Sequence, residues 1–228
     1  MEGRGDLGPM TTYGRTPYAV CRWPDDPAAR RALEEYLQAL PPDSRDVMTA
    51  LDGSDLRFAG VDLSGLDLCG AGFFDADLSG VRLADADLYG AWLMGATLHG
   101  VDLSRADLRK AKARGCDAQD AILYEADLRK AEFDDADLRR ADLRKSLLHR
   151  TFLSGADLRD CAFGDDKSST FLGDTRLAGC RLDGATGLVT GPVDVGADSP
   201  RRLDGPDLQR WFADNGATNV EIRQSAAH

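Results

Sequence analysis

Residues 56–163 keep a five-residue phase without a single insertion or deletion. Every fifth residue from Phe58 to Phe163 is Leu or Phe, except Ala113 and Ala118, which gives 22 consecutive repeats. The residue two before each of these is small or aliphatic, most often Ala or Val, with Cys116, Ser146, Thr151 and Cys161 as variants. Neither regular element has this period: helices place apolar residues near every 3.6 positions and strands at every second. A period of five requires a chain that turns after each short extended piece. The expected object is a square coil with one repeat per side and about twenty residues per turn, its coils stacked at about 4.8 Å, the spacing of hydrogen-bonded strands. The two apolar positions point inward and the other three outward. Each coil then buries its apolar layer only against its neighbours, as in any quasi-one-dimensional solenoid. At Ala113 and Ala118 the inward residue shrinks on two sides of one coil, so a local narrowing or bulge is expected there.

Charge bounds the partners. The 228 residues carry a net charge of −11, with an isoelectric point near 4.7. Within the coil, residues 56–103 have 2 basic and 7 acidic groups, whereas 104–163 have 13 and 12. An acidic chain gains nothing by counterion release, so direct nucleic-acid binding through phosphates is not expected. The five cysteines are odd in number and lack metal spacing, which argues against a disulfide framework or a zinc site. No apolar run is long enough to span a membrane and no secretory leader is visible, so a reduced, cytoplasmic protein is expected. His99, His149 and His228 fall in no catalytic order, and no phosphate- or dinucleotide-binding glycine motif is present. The expectation is a protein without catalysis, cofactor or metal.

The flanks read as caps. Before the coil, residues 1–22 read as a loose arm. Asp26 and Pro27 start a helix that Pro41 and Pro42 stop, with Leu33, Tyr36, Leu37 and Leu40 at helical spacing. Asp43 is expected to cap a second short helix carrying Val47, Met48 and Leu51. After Phe163 the phase breaks in a loop at 164–169 and resumes with Leu172, Leu177 and Leu182. Asp204, Gly205 and Pro206 begin a helix bearing Leu208, Trp211 and Phe212 on one side. Asn215 and Gly216 end it, and Val220 and Ile222 alternate as a short strand. The division is therefore 1–54 as arm and helical cap, 55–187 as coil, and 188–228 as C-terminal cap.

Taking every fourth repeat lists the faces. One carries Asp67, Asp87, Asp107 and Asp127 in register, with Arg109 and Arg129 beside them, and is the candidate acidic face. Local turn hydrogen bonding explains Asp at that position, and the Arg and Lys ladder offsets repulsion along the row. Another face carries Phe74, Trp92, Met94 and Phe152 at outward positions. These are either covered by the termini or form a partner surface, since such residues are enriched in interface cores.

Residues 56–163 resemble the pentapeptide-repeat family, whose consensus is A(D/N)LXX; the runs Ala76-Asp77-Leu78 and Ala136-Asp137-Leu138 are examples. The resemblance implies an all-β solenoid, a right-handed quadrilateral β-helix, here with short helical caps. It also implies two readings of function. Some members resemble duplex DNA and bind DNA gyrase, protecting this type II topoisomerase from quinolones or peptide toxins. The other reading is a protein-interaction scaffold or toxin-immunity module with a different protein partner. Family precedent further implies that a C-terminal extension joins two solenoids into a homodimer, which makes Leu208, Trp211 and Phe212 candidates for either a cap or a dimer contact.

Overall fold

The computed structural model describes residues 13–40, 50–165 and 167–223. The expected short helix after Asp43 lies largely outside them. The coil is written in its backbone bridges. Residues twenty apart pair in parallel along four columns. Face 1 runs Asp67, Asp87, Asp107, Asp127, Leu147; face 2 runs Asp52, Gly72, Trp92, Lys112, Glu132, Phe152. Face 3 runs Arg57, Asp77, Thr97, Asp117, Asp137, Asp157; face 4 runs Asp62, Arg82, Asp102, Ile122, Asp142, Ala162. A four-sided turn of twenty residues follows directly from that spacing.

The repeat Ala86 to Gly90 shows why five residues make a side. Asp87 N–H donates to the Leu66 carbonyl of the coil before (2.9 Å), and Leu88 N–H to the Asp107 carbonyl of the coil after (2.8 Å). Ala91 N–H then donates back to the Leu88 carbonyl (3.0 Å), closing a turn. Gly90 takes φ +66°, the left-handed conformation that such a turn requires of its third residue. Gly95, at φ +69°, lies against the Asp75 carboxylate, which would have to shift to admit a β-carbon there. Leu78, Leu98, Leu138 and Leu158 are all buried, each together with the Ala two positions earlier. Bridges continue unbroken through Lys112 and Asp117, so the coil carries no bulge at Ala113 and Ala118.

Beyond Phe163 the bridge spacing becomes twenty-four, as in Leu147 to Phe171 and Phe152 to Arg176. Four extra residues are thus absorbed at the 164–169 loop without loss of stacking. The strands β1 (Ser169–Phe171), β2 (Thr175–Arg176), β3 (Thr186–Thr190) and β4 (Val193–Asp194) continue the columns. β1 pairs in parallel with β3, and β2 with β4.

Both ends are closed. Helix α1 (Pro27–Ala39) is capped by Asp26, whose carboxylate accepts from Ala28 N–H (2.9 Å) and from Arg57 N–H of the first coil (3.3 Å). Its residues Leu33, Tyr36 and Leu37 are buried against the coil's first layer, and Tyr36 Oη donates to the Asp67 carbonyl (2.7 Å). At the other end β5 (Arg202–Leu203) pairs antiparallel with β4, and β6 (Asn219–Ile222) parallel with β3. Helix α2 (Gly205–Asp214) buries Leu208 and Phe212, with the ring centroids of Phe212 and Phe163 6.4 Å apart. Open solenoid ends present unpaired strand edges and an apolar layer, which invite stacking; these caps cover both.

The N-terminal arm is not loose over its described part. Gly14 bridges to Leu66 and Arg22 to Asp62, so residues 13–22 extend two faces at the coil's edge. Gly14 N–H donates to the Gly65 carbonyl (2.7 Å) and Asp67 N–H to that of Gly14 (2.9 Å). An edge with free backbone groups was available, and a Gly-rich segment could approach it closely.

Candidate functional site

The acidic row is in register, as its spacing predicts, but it is not an open acidic face. Asp67 and Asp87 are buried. Asp67 pairs with Arg15 of the arm at 2.5 Å. Tyr13 lies over the same column, and burial, with help from Asp87 and Asp107, pushes its phenol up to about 12. Arg109 pairs with Asp107 at 2.5 Å and reaches Asp127 at 3.6 Å, while Arg129 holds Asp127 at 2.6 Å. The row's Asp carboxylates also accept backbone N–H groups two residues on, from Cys69, Tyr89, Arg109 and Arg129. Arm, arginines and turn bonds thus consume the charge that a phosphate mimic would display. The sequence lacked a signal for Arg15, because the arm's path is set by an edge that only the folded coil creates.

The same device recurs at three later Asp-Leu-Arg motifs. Arg139 returns to Asp137, Arg144 to Asp142 and Arg159 to Asp157, each at 2.6–2.7 Å. The Arg159 hydrogen bond holds the Asp157 carboxyl below its ordinary value.

Face 2 is different. Phe74 and Trp92 pack with ring centroids 5.4 Å apart, and Trp92 remains 36 % exposed. Met94, half-buried, belongs to the Trp92 repeat. Lys112, one coil on, places its ammonium 3.5 Å from the Trp92 ring centroid, a cation–π contact. Phe152 stands on the same face three coils later, beyond Lys112 and Glu132, and does not join this cluster. It meets Arg176 instead, 5.5 Å from its ring centroid. The expected aromatic face is therefore two patches.

Leu208 and Phe212 are buried inside the C-terminal cap, so neither is an exposed dimer contact; Trp211 packs partly buried beside Phe212. Three exposed apolar residues were not singled out from sequence: Ile122 on face 4, and Leu147 and Phe171 on face 1, the last 40 % exposed. Leu147 and Phe171 are bridged neighbours, and listing columns with a step of twenty-four past the loop would have found them. His149 stacks on Phe171 with centroids 6.0 Å apart. Among the described residues no His, Cys, Asp and Glu group is arranged to hold a metal ion, and no helix is long and apolar enough to cross a membrane.

The profile for pentapeptide repeats matches eight copies, over residues 52–88, 62–100, 71–109, 102–140 and 136–164. The chain belongs to the pentapeptide-repeat family. No curated protein matches the sequence. Solved structures similar to it include HetL, a pentapeptide-repeat protein involved in heterocyst differentiation regulation from the cyanobacterium Nostoc sp. strain PCC 7120. HetL is 25% identical with a TM-score of 0.29, over 65% of this chain and 82% of that one. Full-length QnrB1, a plasmid-mediated fluoroquinolone resistance protein, is 15% identical with a TM-score of 0.44, over 73% and 91%. A pentapeptide-repeat protein from the thylakoid lumen of Arabidopsis thaliana is 24% identical with a TM-score of 0.32, over 68% and 75%. Pentapeptide-repeat proteins are in general binding or structural proteins rather than enzymes.

Proposed function

We propose that this chain is a non-catalytic, cytoplasmic protein-binding rod, a right-handed square coil that docks a protein partner on face 2. The observation that carries this reading is the exposed Trp92, packed on half-buried Phe74 with Lys112 over its ring, held on a backbone bridged on both sides. Large aromatic rings flanked by a cation, on a surface that needs no reordering, are the composition of binding hot spots. Replacing Trp92 and Met94 together by Ser tests it. Association with a partner, or of the chain with itself, falls by at least about tenfold, the loss expected for a hot-spot residue, while the melting temperature holds. Unchanged association in light scattering and in side-by-side pull-downs overturns the reading.

A DNA-mimicking gyrase ligand is the second reading, favoured by the net charge of −11. It draws no support from the Asp67, Asp87, Asp107 and Asp127 row, whose carboxylates are buried or paired. Gyrase supercoiling assays with and without ciprofloxacin separate the two: inhibition or protection at micromolar protein supports mimicry, and neither supports the scaffold. Light scattering also tests an end-to-end homodimer, because a mass near 24.6 kDa leaves only the monomer.

A further inference from the structure

We propose that the corner between faces 1 and 2, near the C-terminal end, is a second docking site that takes a carboxylate-bearing peptide segment of a protein partner. It rests on the reading of the chain as a protein-binding rod, but uses none of the Trp92 cluster.

Arg150, Phe152, Asp174, Arg176, Asp194, Pro200 and Arg202 line an open groove of about 290 Å³. Coil and cap build it together. Phe152 and Arg176 are bridged across successive coils, and Arg202 comes from β5, paired opposite Asp194. Two of the three guanidinium groups are held by neighbours: Arg202 by Asp174 at 2.6 Å, and Arg176 by Asp194 at 3.6 Å and by the Phe152 ring. Arg150 is exposed and has no ion pair among the described residues. Three cations thus face two carboxylates, and the unmatched one sits at the corner.

That imbalance is local and of opposite sign to the molecule, whose net charge is −11. A long polyanion such as nucleic acid is repelled by the rest of the rod, whereas a single carboxylate on a short segment feels mainly the groove. A guanidinium fork suits a carboxylate in a bidentate pair. The walls supply the second half of recognition. Phe152 and Pro200 line one side. Around the corner on face 1, Leu147 and Phe171 are exposed, with the half-buried His149 ring stacked on Phe171. Arg150 follows His149 directly, so it stands between two apolar surfaces. A free phosphate has no use for these walls; a peptide alternating acidic and apolar side chains engages both. Aromatic side chains and arginine are also the residues enriched at protein interfaces.

The probe is a short fluorescein-labelled peptide alternating Glu with Phe, titrated by anisotropy against the full chain. Binding is expected, and Arg150→Gln weakens it by about tenfold, the worth of one charge-assisted pair. Because Arg150 holds no structural partner, that variant keeps the wild-type melting temperature. Lys110→Gln, on the same corner column two coils away, binds as wild type. Trp92→Ser with Met94→Ser also binds as wild type, so failure of the face 2 reading and failure of this one are distinguishable. No binding by the wild type, equal binding by Arg150→Gln, full displacement by inorganic phosphate, or tighter binding of a single-stranded oligonucleotide of equal charge each overturns the proposal.

Discussion

The two halves of the coil share a core and differ in their skin. In residues 56–103 the fifth position of the repeat is mostly glycine, as at Gly60, Gly80 and Gly100, and Asp is followed after Leu by small or uncharged residues. In residues 104–163 that fifth position is mostly charged: Arg105, Lys110, Glu125, Arg140 and Lys145 all take φ near +60°. Left-handed backbone costs a side-chain-bearing residue roughly 1–2 kcal/mol relative to its ordinary conformations. What offsets the strain is contact between coils. Arg105 reaches Asp85 at 2.6 Å, Arg140 reaches Asp120 at 2.6 Å and Lys145 reaches Glu125 at 3.0 Å, each twenty residues back. The first half thus closes its turns with little strain and pairs its buried Asp67 with Arg15 of the arm. The second accepts strain at its corners and neutralises itself with Asp-Leu-Arg forks and corner ion pairs. The lesson is that a repeat can change its surface completely while its inward positions hold the fold.

The comparison is broken or sharpened most strongly by thiol chemistry. Cys21 is exposed and Cys69 half-buried, whereas Cys116, Cys161 and Cys180 are buried in the later coils. Burial pushes the Cys116 thiol up to about 12, which cuts its thiolate at neutral pH by about a thousandfold. A chromogenic disulfide reagent is expected to titrate two thiols in the folded protein and all five after denaturation. Fast reaction of a third would show that the second half opens.

Core truncation comes next. Leu78→Ala and Leu138→Ala each remove a buried inward leucine, one from each half, and each is expected to cost about 2–5 kcal/mol in chemical denaturation. Equal costs keep the difference between the halves on the surface; a clear inequality moves it into the core.

A smaller effect has the opposite sign. Lys130 sits at φ +62° with no ion pair among the described residues, so Lys130→Gly relieves strain without losing a contact. Stability is expected to rise by roughly 0.5–1 kcal/mol, the difference between the left-handed penalty and the entropy that glycine adds to the unfolded chain. A loss of stability instead would mean that the corner charges matter more than the turn.

The smallest effect separates two ways of holding a carboxylate. Asp77, in the first half, is lowered by hydrogen bonds from Ser79; Asp157, in the second, is lowered chiefly by the Arg159 guanidinium. Both folded values lie below the ordinary 3.8, so both groups contribute stability that is present above that pH and lost as pH falls through the folded values. Added salt screens the charge pair but not the hydroxyl bond. Carboxylate chemical shifts followed by NMR are therefore expected to show Asp157 rising with salt and with Arg159→Ala, while Asp77 stays put. Equal salt responses would remove the distinction.

Much of this molecule was legible without coordinates. The inward set was read from period alone because every side of the coil repeats the same five-residue problem, and a local rule suffices. The caps of α1 and α2 were legible for the same reason: Asp26 with Pro27, and Asp204 with Pro206, act within one turn of chain. The 164–169 loop was visible as a break in phase. The candidate sites fared differently. The column of Asp67, Asp87, Asp107 and Asp127 was found, yet its meaning reversed once Arg15 and the Asp-Leu-Arg forks were in place. Face alone places Phe152 with Trp92, but three coils of distance separate them into two patches.

The sequence by itself determined which residues face the axis, how many make a turn and where the repeat begins and breaks, because those depend on sterics and burial within a few residues. Only the tertiary structure decided what the surface displays. Arg15 meets Asp67, and Arg202 joins Arg150 and Phe152, across separations that no period encodes. An arm and a cap come to rest where an edge offers unpaired backbone groups and an end offers apolar surface, and that edge and that end exist only after the coil has stacked.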